Sequence, residues 1–146
     1  MVINAFLAFA GLAIVPLAGD ARPAGASEKL PEISPSAATT RVADWSAAAG
    51  DNRSLPYVII DKTSASLFLF DAKGKPLGKA PVLIGVAVGD DATPGIGSKN
   101  LAEIGPAEKT TPAGRFLAKF GLAAGKQRVL WVDYATSVAI HPIPKT

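Results

Sequence analysis

Residues 57–71 read Tyr57-Val58-Ile59-Ile60-Asp61-Lys62-Thr63-Ser64-Ala65-Ser66-Leu67-Phe68-Leu69-Phe70-Asp71, and this stretch decides the fold class. Tyr57-Val58-Ile59-Ile60 is an apolar, β-branched run of the kind that fills a buried strand. Residues 64–70 follow as a second strand. Its period-two alternation places Leu67 and Leu69 on one face and Phe68 and Phe70 on the other. Asp71-Ala72-Lys73-Gly74 then makes a tight turn in which Gly74 can take positive φ.

Toward the C-terminus the same grammar repeats. Residues 81–88 form a third expected strand, with Gly85 inside it marking a bulge or a close backbone approach. Residues 115–120, 129–134 and 136–140 give three more, and Gly121 and Gly125 frame a turn between them. Helical periodicity is weak throughout, so residues 56–146 are expected to be a mainly β body. Between residues 89 and 114 lies a long stretch without periodicity, containing Pro94, Gly95, Gly97, Gly105, Pro106, Pro112 and Gly114. Connections this long are uncommon in compact domains and often functional. The two readings are a loop bordering a substrate groove and a surface excursion with no role.

Toward the N-terminus the composition changes twice. Residues 27–55 are rich in Pro, Ser, Ala and Thr and read as a linker. Within it, residues 41–49 can form a short helix with Trp45 docking on the body. Residues 1–26 read as a signal peptide. The apolar run at 5–18, broken by Gly11 and Pro16, is shorter than the roughly 20 residues that cross a bilayer core. Ala24-Gly25-Ala26 before Ser27 is a small-residue cleavage pattern. No Lys or Arg precedes the run, so the terminal amine alone supplies positive charge; an uncleaved membrane anchor is the competing reading. Processing would make the protein secreted or periplasmic, with no stable membrane insertion afterwards.

The formal net charge is +3, and the group Lys73, Lys75 and Lys79 sits around the turn after residue 70. No basic helix or basic–aromatic array appears, so no nucleic-acid partner is expected. The 146 residues contain no cysteine, which excludes a disulfide framework and a thiolate zinc site. Known motifs fail one by one. Gly121-Leu122-Ala123-Ala124-Gly125-Lys126-Gln127 is a residue short of a phosphate-binding loop and lacks its hydroxyl. Gly95-Ile96-Gly97 lacks the third glycine of a dinucleotide fingerprint. Ser98 has no G-x-S-x-G elbow around it. Asp90 and Asp91 read as solvated loop carboxylates. What remains is the sole histidine, His141, at the end of the last apolar segment, Val138-Ala139-Ile140-His141-Pro142. Pro142 and Pro144 stop the ladder there, so the imidazole sits at a strand end, where sheets commonly present catalytic groups.

Several segments in order carry a resemblance. Val58-Ile59-Ile60-Asp61 and Leu67-Phe68-Leu69-Phe70-Asp71 look like a first hairpin. Lys109-Thr110-Thr111-Pro112-Ala113-Gly114-Arg115-Phe116 looks like a T-P-x-G-x-F signature. Leu130-Trp131-Val132-Asp133-Tyr134 and Ile140-His141 look like strands leading into an active site. Over residues 57–146 the chain resembles the YkuD-type L,D-transpeptidase family. The resemblance implies a β-sandwich or mixed sheet, catalysis through His141 and a cysteine, peptidoglycan stem peptides as partners, and no metal or organic cofactor. In that chemistry a thiolate attacks the stem tetrapeptide, the terminal D-alanine leaves, and a second stem's amine resolves the acyl-enzyme into a cross-link. Water in place of that amine gives a carboxypeptidase. Thr111, Pro112 and Gly114 are read as architecture, with Gly114 permitting an unusual turn.

The departure is the nucleophile. The family continues from this histidine to an S-x-G-C segment, and the sequence to Thr146 does not contain one. The expectation is a partial catalytic domain, incomplete at its C-terminus and inactive as it stands, with an apolar face uncovered around Leu130, Val132 and Ile140. Ser137, expected on the strand near His141, is the one serine placed to substitute. A non-catalytic envelope-binding β-domain is the alternative.

Overall fold

A computed structural model of the chain describes residues 2–7, 33–123 and 126–143. The stretch that decides the fold forms β2 (Tyr57–Asp61) and β3 (Ser66–Phe70), paired antiparallel with Ile59 opposite Phe68. Every residue of β2 is buried, whereas β3 alternates between buried and half-buried positions. A continuous apolar strand needs cover on both faces, and β2 has it.

One face of the hairpin presents Tyr57, Ile59, Phe68 and Phe70 to Val42 and Ala43 of α1 (Ala37–Ala49) and to Ile33 and Leu55. The Tyr57 and Phe70 rings stack at 4.9 Å. The opposite face presents Val58 and Ile60, with Leu67 and Leu69 beside them, to Ala118, Leu130 and Val132. The expected division of Leu67 and Leu69 from Phe68 and Phe70 therefore holds.

The helix lies within the stretch expected as linker. Ser36 caps it by accepting the Thr39 amide at 3.1 Å, and Gly50 ends it at φ 61°. It begins earlier than residue 41, and Trp45 stays half exposed instead of docking. Asn52 fastens the segment beyond it, donating to the Leu55 and Ala72 carbonyls at 2.7 and 2.8 Å. Residues 37–55 are thus part of the packed body.

The third strand falls elsewhere than expected. β4 is Pro76–Pro81, antiparallel to β3, and the backbone after it leaves the ladder. Residues 82–88 look more strand-like by composition, but only Ala87 makes a bridge there, to Thr110. Gly85 explains why: a Cβ at this position would lie 1.9 Å from the Lys109 carbonyl oxygen, so the backbones press together. β4, with a proline at each end and Lys79 between, is a blunted edge.

Residues 82–114 then form a long excursion holding three short 3-10 turns, at Ile96–Ser98, Leu101–Glu103 and Pro106–Glu108. β5 (Arg115–Leu122), β6 (Arg128–Asp133) and β7 (Val138–Ile140) form a second antiparallel three-stranded sheet. Gly121 belongs to β5, so it does not frame the turn. Leu130 and Val132 are buried with β2 and β5, against the expectation of an uncovered face, whereas Ile140 is half-buried.

Of the segment expected as a signal peptide, Val2–Leu7 is described, and it forms β1; residues 8–26 lie outside the described residues. β1 pairs antiparallel with β2 and parallel with residues 115–118 of β5. Residues 119–122 of β5 pair with β6 instead. The described strands therefore run β4-β3-β2-β1-β5-β6-β7, with β1 joining two antiparallel triplets. Among the described residues no helix is long and apolar enough to cross a membrane.

Candidate functional site

β6 and β7 are joined by a turn that Asp133 organises. Its carboxylate accepts the Ala135 amide at 3.1 Å and the Thr136 hydroxyl at 2.6 Å. Ser137 closes the turn in the left-handed region, φ 58°, one residue before β7. It is a turn residue, not a strand residue as expected, and no hydrogen bond joins it to His141 among the described residues. A register shift between Trp131 and Asp133 then sets which way β7 leaves the turn.

β7 delivers His141 directly beyond its last residue, as expected, with the side chain exposed. The ring Nδ1 lies 2.8 Å from the Pro142 carbonyl oxygen. A carbonyl can only accept, so in the neutral ring this contact assigns the proton to Nδ1 and leaves Nε2 as the acceptor. That is the tautomer a proton-accepting histidine needs.

The ring borders an apolar cleft of about 220 Å³. Buried Ile60 and Val132 form its base, exposed Leu83 and Ile143 its sides, and Thr111 and His141 supply polar side chains. The volume is below the roughly 300 Å³ of a typical small-molecule pocket, and suits an aliphatic side chain or a short peptide arm. A comparable hollow of about 200 Å³ lies beside Asp51 and Arg115, but those two groups are already paired with each other.

The excursion contributes to the cleft through its shoulders. Thr111 Oγ1 accepts the Gly85 amide at 2.7 Å, tying the outgoing and returning limbs together beside the cleft. Pro112 is buried, and the Ala113 amide donates to the Asp90 carbonyl at 2.8 Å. Gly114 has an ordinary negative φ; the space it needs is taken by the Phe116 ring, 3.0 Å from where a Cβ would stand. The expected unusual turn is therefore absent, and a larger residue here would press on the Phe116 ring. Of residues 89–114, a groove border or a plain surface excursion by sequence, Thr111 alone lines this cleft; Val82, Leu83 and Ile84, expected as strand, line it as well. Their apolar run was legible; the bend that turns it into a cleft wall depends on the Gly85–Lys109 contact.

Elsewhere in the excursion the charges pair off. Lys62 holds the Asp90 carboxylate at 2.9 Å and also donates to the Gly89 carbonyl, so Asp90 is less free than its loop position suggests. Glu108 bonds the Gly105 amide and pairs with Lys99; that hydrogen bond from Lys99 is the main reason its carboxyl sits below the usual glutamate range. Among the described residues no cluster of three or more His, Asp or Glu side chains is placed to hold a metal ion. Comparison with known protein families, curated proteins and solved structures finds no match for this chain.

Proposed function

We propose that this chain carries the histidine-bearing part of an exported, YkuD-type L,D-transpeptidase catalytic domain that acts on peptidoglycan stem peptides, and that these residues alone do not turn over substrate. One observation carries the reading. His141 and Thr111 come from two segments far apart in sequence, each part of the resemblance, and both line one apolar cleft. A chance match to either segment gives no reason for that convergence.

In the complete reaction a cysteine thiol gives its proton to the imidazole and its thiolate attacks the stem amide. The imidazolium then protonates the departing D-alanine amine, and a second amine resolves the thioester. Nε2 of His141 is the acceptor this sequence of transfers requires. The sulfur is not supplied here, since the 146 residues contain no cysteine.

The test has two arms. Reading the coding DNA past the Thr146 codon should reveal an S-x-G-C segment; its absence in every frame removes the enzyme assignment. The purified chain should sediment with peptidoglycan sacculi while releasing no D-alanine from stem tetrapeptides. Release of D-alanine by these residues alone would overturn the claim of inactivity. A non-catalytic envelope-binding domain is the second reading, favoured because among the described residues no nucleophilic side chain is hydrogen-bonded to His141. Sacculus binding without an S-x-G-C coding segment selects it.

A further inference from the structure

The two antiparallel triplets meet in an unusual way. β2-β3-β4 and β5-β6-β7 are each built from neighbouring segments of chain, but β1 comes from the far N-terminus to stand between β2 and β5. Ala5 faces Val58 on one side and Phe116 on the other. The core beneath does not depend on that strand alone: Val58 and Ile60 of β2 pack directly with Ala118, Leu130 and Val132 of β5 and β6. β1 pairs its backbone with both neighbours. Without it, β2 and residues 115–118 of β5 present facing rows of unpaired N–H and C=O groups beside that apolar cluster.

β2 itself argues that such a place is filled. Its five residues are all buried, and Val58-Ile59-Ile60 carries none of the charges or prolines that blunt a bare sheet edge. β3 provides one of them. The other is an extended segment antiparallel to β2 and parallel to β5, Val2-Ile3-Asn4-Ala5-Phe6-Leu7. The same residues have the composition of the start of an export leader. A leader that is removed cannot also be a central strand.

We infer that the gap between β2 and β5 is a strand-acceptor slot, filled in cis by Val2–Leu7 and open to an apolar extended peptide of the same kind once that segment is withdrawn. Binding is by β-augmentation, with main-chain hydrogen bonds on both edges of the incoming strand. This claim rests on reading residues 2–7 as part of an export leader, but not on the transpeptidase chemistry.

The full chain tests it directly. In Ala5→Pro the proline removes a ladder N–H and blocks the strand. Amide exchange should then accelerate by about tenfold or more at both Tyr57–Asp61 and residues 115–118. A labelled synthetic peptide of residues 2–7 should bind this variant one to one and restore protection. It should bind the unaltered chain at least about tenfold more weakly, because apparent affinity scales with the fraction of open slots. Unchanged exchange, or equal peptide binding by both proteins, overturns the inference.

Should Ala5→Pro fail to fold, the absence of native cysteine gives a second route. Ala5→Cys combined with Val58→Cys should oxidise to a cross-linked monomer, while Ala5→Cys with Leu69→Cys should not. A cross-linked dimer would place a second copy's strand in the slot and overturn the cis assignment. No cross-link at all would overturn the slot.

Discussion

The β2–β3 and β6–β7 hairpins are built on one local plan and end in opposite circumstances. Each first strand finishes in an aspartate whose carboxylate caps the turn: Asp61 accepts the Thr63 amide at 2.9 Å, and Asp133 accepts the Ala135 amide at 3.1 Å. Each turn closes with a non-glycine residue at positive φ, Ala65 at 47° and Ser137 at 58°. Both are touched by the excursion between β4 and β5. The Val82 amide donates to the Ala65 carbonyl at 2.9 Å, and Gly97 presses on the Ala135 carbonyl so closely that a Cβ would stand 1.9 Å away. Yet β2 is wholly buried, while β7 is half-buried and ends in an exposed histidine. The turn chemistry is local; the energetic weight of each hairpin comes from what covers it.

Substitution at the heart of the covered hairpin should have the largest effect. Ile59→Ala empties a fully buried site and is expected to cost about 2–5 kcal/mol in denaturant unfolding. Ile140→Ala, on half-buried β7, should cost less than half as much; equal costs would erase the contrast between the hairpins. Gly97→Ala attacks the strap on the exposed hairpin. Its Cβ must displace backbone at Ala135, for about 1–3 kcal/mol by the same measurement, with faster exchange of the Ala135 and Ser137 amides.

The capping carboxylates separate next. Asp61 is pushed up by burial, but hydrogen bonds from Ser36, Thr63 and Ser64 outweigh this and hold it below the ordinary aspartate value of 3.8. A carboxyl with a depressed folded pKa stabilises above its unfolded value and loses that contribution as pH falls through the folded one. Asp61→Asn should therefore lower stability at pH 7 by about 1–3 kcal/mol and flatten the loss of stability seen below about pH 4. Asp133→Asn, in a half-buried turn, should lower stability at pH 7 by less. Smallest of all, His141→Ala should leave stability within about 0.5 kcal/mol, because the ring is exposed, while weakening sacculus binding. Loss of stability without loss of binding would move His141 from the cleft's function into the fold.

Much of this was written locally. The alternation of Leu67 to Phe70 fixes two faces whatever covers them, and Gly74 adopts its positive φ of 84° in the expected turn. Three features resisted reading for identifiable reasons. The helix Ala37–Ala49 has only Val42 and Trp45 as large apolar residues, the rest of its apolar positions being alanine, so its face toward β2 gives little signal. Pro76–Pro81 is a strand because β3 offers it an edge, not because its residues favour one. Residues 82–86 are apolar enough for a strand but are diverted where Gly85 meets Lys109. The position of His141 at a strand end followed from Ile140 and Pro142. Its shared cleft with Thr111 did not, because that pairing joins segments with no local relation.

By itself the sequence determined that the first hairpin, β5, β6 and β7 extend and that the one imidazole would stand at the end of a strand, since these depend on side-chain alternation and on turn residues within a few positions. Only the tertiary structure decided that an N-terminal segment stands between β2 and β5, that residues 37–49 cover one face of the first hairpin, and that Leu83 faces a cleft. Those outcomes rest on packing and backbone pairing between distant parts of the chain, which no local pattern encodes.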